Sequence, residues 1–410
     1  MDTSILITLS IPLFFGLVLI EFLYGYFTKN NNYRLNDAIT SMSLGLISRF
    51  VPLLGLGFQY VVYTIVAEQY NLKLLNTDAI WVWVLAFLMY DLCYYWMHRI
   101  HHEVKLFWAT HVVHHHGEDF NLSTAMRQTS TGFLWKWVFF LPMFLIGVPP
   151  AIYVTVAGLN LIYQFWVHTE HIGRLGWMEY VFITPSNHRV HHAQNDDYLD
   201  ANYGGVFILW DRMFGTFIDE REDLKPVYGT VKPLKTFNPF WANIEVFYQM
   251  LMDSIRTKKW SDKVKVWFSP PAWRPADVAE KYPITKNDLS NFKKHDPQIM
   301  MEGKIFALFQ FFVINAMTLV MLFNVNLFDY SQMLSIIFFI VFVAISNSFI
   351  LDGKSFAYRF ELLRAITMLF LFQLEYFTKF DLFILSHSVA SVILAFLLNS
   401  RATFKAQSVA

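Results

Sequence analysis

Nine stretches of this chain are near-continuous apolar runs, lying near residues 4–27, 39–66, 79–97, 133–147, 150–167, 305–324, 332–350, 360–375 and 381–399. A membrane helix needs about 20 such residues, and in lipid every backbone polar group must be satisfied internally. The pattern therefore predicts an all-α integral membrane protein, a helical bundle of about nine spans. Composition agrees, since 55% of residues are hydrophobic and 16% are charged, against about 25% charged in a soluble domain. With 32 basic and 32 acidic residues the net charge is zero, which leaves no basic field for nucleic acid. The single cysteine, Cys93, excludes an internal disulfide framework and a multi-cysteine zinc site.

The first run is long and lacks the charged start and cleavage site of a signal peptide, so it reads as a retained span. The fourth and fifth are short and joined by Gly147-Val148-Pro149-Pro150, which reads as a hairpin entering and leaving on one side. Lys29 and Arg34, Lys354 and Arg359, and Arg401 and Lys405 fall in short loops or the tail on one side. The opposite loops carry only Lys73 and Lys379. The positive-inside rule then places the C-terminus in the cytosol, together with residues 98–132 and 168–304. Within the last stretch, Pro226, Pro233, Pro239 and Ser269-Pro270-Pro271 mark turns and surface-lying helices. The organisation is N-terminal spans over 1–78, a catalytic region over 79–220 enclosing the hairpin at 133–167, a polar segment over 221–304, and C-terminal spans over 305–410.

Twelve of the fourteen histidines lie between positions 98 and 192. His98 and His102 are four apart and share one helix face. His111, His114 and His115 stand at i, i+3 and i+4, and His188, His191 and His192 repeat that spacing. His168 and His171 form a further pair beyond the hairpin. Neutral imidazole is a good ligand for iron, zinc, copper and nickel. One metal takes about four to six ligands and a triad supplies two or three, so nine or ten histidines point to two metals. A lone histidine on a polar helix is ordinarily solvated, but three clusters at helical spacing have no packing explanation. His101 points about 100° away from His102 and reads as a surface residue, as does His116. His295, in a charged run, reads as solvated; His387, inside the last span, reads as a helix–helix hydrogen bond. Asp91 lies near the end of a span, where an unpaired carboxylate is costly, so it is expected to orient a ligating imidazole. Glu103 and Glu170 adjoin ligand histidines and are candidates for the same task.

His98-x-x-x-His102, His111-x-x-His114-His115 and His188-x-x-His191-His192, with a membrane hairpin between the second and third, resemble the fatty acid hydroxylase / sterol desaturase superfamily of non-haem di-iron membrane enzymes over roughly residues 80–220. The runs Glu118–Gln128, Gln164–Glu170 and Thr184–His192 resemble, more narrowly, the alkylglycerol monooxygenases of that superfamily. The resemblance implies two iron ions, with O2 as co-substrate and a tetrahydrobiopterin reductant. The reaction it implies is hydroxylation beside an ether oxygen of a membrane lipid. His98, His102, His111, His114, His115, His168, His188, His191 and His192 would be the ligands; His168 is preferred over a possible His171. Asn121, Arg127 and Gln128 become candidates to hold a headgroup or the pterin. The alternative inside the superfamily is a fatty-acid or sterol hydroxylase or desaturase fed by a cytochrome b5 or ferredoxin partner. A metal transporter is the alternative outside it, but its ligands should sit at mid-membrane on broken helices. The membrane itself, a bacterial inner membrane or an endoplasmic reticulum, is left open.

Overall fold

The computed structural model describes residues 3–76, 79–373 and 381–409; the expected loop at 376–380 with Lys379 lies outside them. Among the described residues the chain is helical, with two isolated antiparallel bridges, Phe182 to Phe207 and Ala193 to Tyr228. The principal helices are α1 (Thr3–Phe27), α2 (Leu35–Ser48), α3 (Gln59–Gln69), α4 (Trp81–Glu103), α5 (Pro150–Trp166), α6 (Pro239–Arg256), α7 (Trp260–Phe268), α8 (Met301–Phe323), α9 (Tyr330–Leu351), α10 (Ala357–Gln373) and α11 (Asp381–Val409). Four helical stretches are long and apolar enough to cross a membrane: Leu35–Leu56, Met301–Phe323, Tyr330–Leu351 and Leu382–Ala402.

The second apolar run is not one helix. Pro52 and Gly55, the latter at φ +73°, break it into α2, a wide turn and α3, because proline removes a ladder donor and a positive φ cannot continue a right-handed helix. The expected hairpin is also modest in depth. Its first limb is a 3₁₀ turn, Lys136–Phe140, followed by a short helix, Leu141–Ile146. At about 2.0 Å per 3₁₀ residue and about 1.5 Å per α-helical residue that limb rises about 19 Å, well short of the ~30 Å a bilayer core requires. Gly147 turns it at φ +114°, a conformation that favours glycine. The turn is pinned from outside by the Leu72 N–H donating to the Leu145 carbonyl at 2.8 Å.

The surface is inverted relative to a water-soluble protein. Ile20, Phe27, Ile305, Phe312, Leu363, Phe370 and Phe396 are exposed. Meanwhile Glu361 and Arg364 are fully buried, paired at 2.6 Å, with Ser346 and Gln310 also donating to the carboxylate. Apolar side chains facing out and paired charges facing in are what a lipid solvent selects. Two apolar cores fasten α8, α9, α10 and α11 to α2. A third packs α3, α4 and the hairpin through Tyr63, Val82, Ala86, Phe140, Met143, Phe144 and Ile152. The last turn of α4 and the end of α5 project from this frame towards the histidine segments.

Candidate metal centre

His98 and His102 ride the final turns of α4, which stops at Val104 where the backbone becomes extended. The chain then folds back through Lys105–Trp108 into a one-turn helix, Val112–His115, with His111 at its N-cap. The third group sits on Pro185–His191, started by Pro185 and by the Thr184 hydroxyl accepting from the Asn187 N–H, both favoured at a helix start. The i, i+4 pairs face one way, as their spacing requires. The intervening members His114 and His191 do not join them.

The result is two interleaved groups. His98, His102, His111, His115 and His191 converge in one, and His114, His168, His188 and His192 in the other, with candidate ligand atoms within 4.8 Å of one another in each. Each triad thus gives two rings to one group and lends its third to the other. In the first group the His98 and His111 Nε2 atoms are 2.9 Å apart, and those of His111 and His115 3.1 Å. In the second, His168 Nε2 lies 3.2 Å from that of His114 and 2.9 Å from that of His188, with His188 and His192 at 3.2 Å. A metal about 2.1 Å from two imidazole nitrogens at a right angle holds them about 3 Å apart, so the spacings fit metal ligation. The buried Nε2 atoms of His102 and His191 have no hydrogen-bond partner, which a ligating position would explain. The groups adjoin, with the His115 and His192 rings stacked at 4.4 Å.

Second nitrogens are held by backbone carbonyls. His98 Nδ1 lies 2.8 Å from the Tyr203 carbonyl and His191 Nδ1 2.9 Å from that of Ala201. His168 Nδ1 lies 2.8 Å from the Gln164 carbonyl and His114 Nδ1 3.1 Å from that of Arg127. Such contacts fix ring orientation and present Nε2 inward. The loop supplying Ala201 and Tyr203 is itself clamped. Asp211 accepts from the Tyr203 and Gly204 N–H groups at 2.7 and 2.8 Å. Asp91 accepts from Asn160, the N–H groups of Val206 and Phe207, and the Trp210 indole at 2.7 to 3.0 Å. Gly205 lets the loop approach, since a Cβ there would stand 2.7 Å from the Asp91 carboxylate.

Burial sets the protonation of the site. It drives His111, His114, His115, His188 and His192 well below 6.5, helped by repulsion from neighbouring imidazoles, and holds His168 near about 3 and His191 near about 4. All are neutral at pH 7, the form that ligates.

Other expected residues fall elsewhere. Asp91 touches no histidine, so it orients His98 only at one remove, through the loop. Glu103 is exposed and pairs with Arg99 at 2.8 Å. Glu170 accepts from the Tyr228 hydroxyl, and Tyr228 stacks on Phe120, which stacks on His168. His171 lies outside both groups, edge-on to Tyr24. Asn121 caps the turn Leu122–Ala125 and reaches the Asn32 carbonyl. The Arg127 guanidinium is buried against Asp37 at 2.8 Å, and its contribution to the site is its own carbonyl. His101 and His116, read as surface residues, are both buried; His101 is covered by Phe107, from the segment after α4, and by Phe139. His295 is partly shielded, 3.4 Å from Asp352, and His387 makes the expected interhelical bond, to Gln310.

A cavity of about 220 Å³ reaches both groups. His111, His114 and His168 form one wall; Ile11, Phe14, Leu161 and Phe165 supply apolar lining, and Tyr94, Gln128, Thr129 and Gln164 polar points. Arg49 and Lys136 also line it. The sequence reading missed both, although a cation inside an apolar run is a signal in its own right.

The family model for fatty acid hydroxylase matches residues 83–216, which contain every histidine of the two groups. The chain is 35% identical to alkylglycerol monooxygenase of Xenopus tropicalis over 89% of its length and 81% of that protein. It is 34% identical to the Danio rerio enzyme of that name over 97% and 88%, and 36% identical to the Homo sapiens one over 88% and 81%. No solved structure matches it. A helical membrane architecture, a histidine cluster suited to metal and full-length similarity of this kind converge, and the chain belongs to the alkylglycerol monooxygenase family, as a lipid monooxygenase.

Proposed function

We propose that the chain cleaves O-alkylglycerols with two iron ions, O2 and a tetrahydropterin. The observation that carries this reading is the pair of interleaved imidazole groups opening on one largely apolar cavity. His98, His102, His111, His115 and His191 would hold one ion, and His114, His168, His188 and His192 the other. The ions, when bound, supply the activation of O2 that no side chain provides. The chain's own residues bind and orient. The cavity takes the alkyl chain against Ile11, Phe14, Leu161 and Phe165, where each buried methylene contributes about 0.8 kcal/mol. That presents the carbon beside the ether oxygen to the wall of His111, His114 and His168. One oxygen atom enters that carbon and the other leaves as water, with two electrons from the pterin. The resulting hemiacetal collapses to fatty aldehyde and glycerol as its hydroxyl proton moves to the departing ether oxygen.

The test is the purified enzyme with an alkylglycerol, O2 and a tetrahydropterin, with trapping of fatty aldehyde. Aldehyde formation that depends on the pterin is expected. Equal aldehyde from a ferredoxin or cytochrome b5 system without pterin would overturn the reductant; consumption of a sterol or fatty acid but no ether lipid would overturn the substrate.

We place the histidine groups on the cytosolic side of the membrane, on the support of the loop charges. With Cys93 replaced by serine, single cysteines at the exposed positions Glu103 and Asp223 should label from the cytosolic face and one at Asn76 from the other. The reverse pattern would contradict the orientation.

A further inference from the structure

Arg49 and Lys136 are the cations of the cavity wall, and no carboxylate lines that cavity. Arg49 stands just past the end of α2, before the break at Pro52, and Lys136 opens the first limb of the hairpin. Among the described residues neither side chain has an ion-pair or hydrogen-bond partner. Each is only half-buried and lines the cavity. Their charges act on one another, and that of Lys136 also acts on the His114 imidazole, so the pair sits beside the candidate metal centre. The other shielded cations have partners: Arg127 pairs with Asp37, Arg189 with Glu220, Arg274 with Asp253 and Arg364 with Glu361, and the Lys105 ammonium donates to the Trp273 carbonyl. Two like charges left uncompensated against one apolar cavity inside membrane-embedded segments are costly. That cost is offset when the cavity's occupant brings the counter-charge. A guanidinium and an ammonium converging on one space suit an oxyanion, the first as a fork and the second as a point charge. Tyr94 and Gln128 line the same cavity and bring polar groups to it.

We propose that Arg49 and Lys136 form an anion seat for an acidic headgroup, a phosphate or carboxylate, carried by the lipid that enters the cavity. This rests on the lipid-cleaving reading of the same site and narrows its substrate to acidic ether lipids over neutral ones. The glycerol backbone spans the gap between seat and histidines, with the acid at the cations and the ether carbon at the imidazole wall. A tetrahydropterin carries no negative charge, so the seat does not serve the reductant.

The experiment compares a 1-O-alkylglycerol with its 3-phosphate on the iron-loaded, full-length enzyme in lipid nanodiscs. The wild type should favour the phosphate in kcat/KM by about tenfold or more. R49M and K136M should each lower that acid-to-neutral ratio by about tenfold, about 1.4 kcal/mol of discrimination, and K136R should retain most of it. A ratio unmoved by either variant, or a wild type that prefers the neutral lipid, would overturn the seat. Inorganic phosphate is the second arm: inhibition as strong as that by the lipid phosphate would overturn the lipid as its source. If neither lipid is turned over, the cleavage reading fails and binding of the lipid phosphate, followed by calorimetry, decides the seat alone. Binding about tenfold weaker in R49M supports it, and equal binding overturns it.

Discussion

Alanine at any of His98, His102, His111, His114, His115, His168, His188, His191 or His192 is expected to lower turnover by more than about 100-fold. That exceeds the 10–100-fold typical of groups that only orient a ligand. The interleaving gives the prediction its detail. His114→Ala should strip metal from the group containing His168, His188 and His192, although its neighbour His115 belongs to the other. His191→Ala should do the converse. Metal content and activity measured on the same preparations check this. His295→Ala, remote from both groups, should keep its metal. His101→Ala and His116→Ala also leave the two groups intact, but both rings are buried, so their cost should appear in thermal stability rather than in metal content. Loss of metal from either at an unchanged melting temperature would show that the ligand sets are drawn wrongly.

Asp91→Ala should be the most damaging substitution outside the histidines. It leaves the Asn160 amide, two backbone N–H groups and the Trp210 indole without their acceptor. Each buried donor left unpaired costs about 1–3 kcal/mol, so a loss of several kcal/mol is expected. The loop freed in this way carries the Ala201 and Tyr203 carbonyls that hold His191 and His98. Metal should therefore be lost first from the group of five. Glu103→Ala should be nearly silent, because an exposed ion pair contributes about 0–1 kcal/mol. Calorimetry with metal analysis separates the two, and equal behaviour of the two variants would contradict the clamp.

The histidines were legible because helical spacing is local: His98 with His102, His111 with His115 and His188 with His192 each share a face that any helix imposes. Their division was not legible. His114 and His191 cross to the opposite group because the short helices that carry them face each other, and that depends on tertiary packing. The same limit governed Asp91, whose burial was readable but whose partners lie 69 to 119 residues away. His101 and His116 misled for the complementary reason, since angular position on a helix says nothing of what folds over it. The break of the second apolar run was foreshadowed by Pro52 and Gly55, which its hydrophobicity concealed. Arg49 and Lys136 were passed over because each is a single charge in an apolar run and only the cavity joins them.

Elemental analysis of protein purified after iron-replete expression tells whether the two imidazole groups hold two iron ions. About two iron atoms per chain are expected, as nine imidazole ligands require. A content below half a metal atom per chain would contradict it.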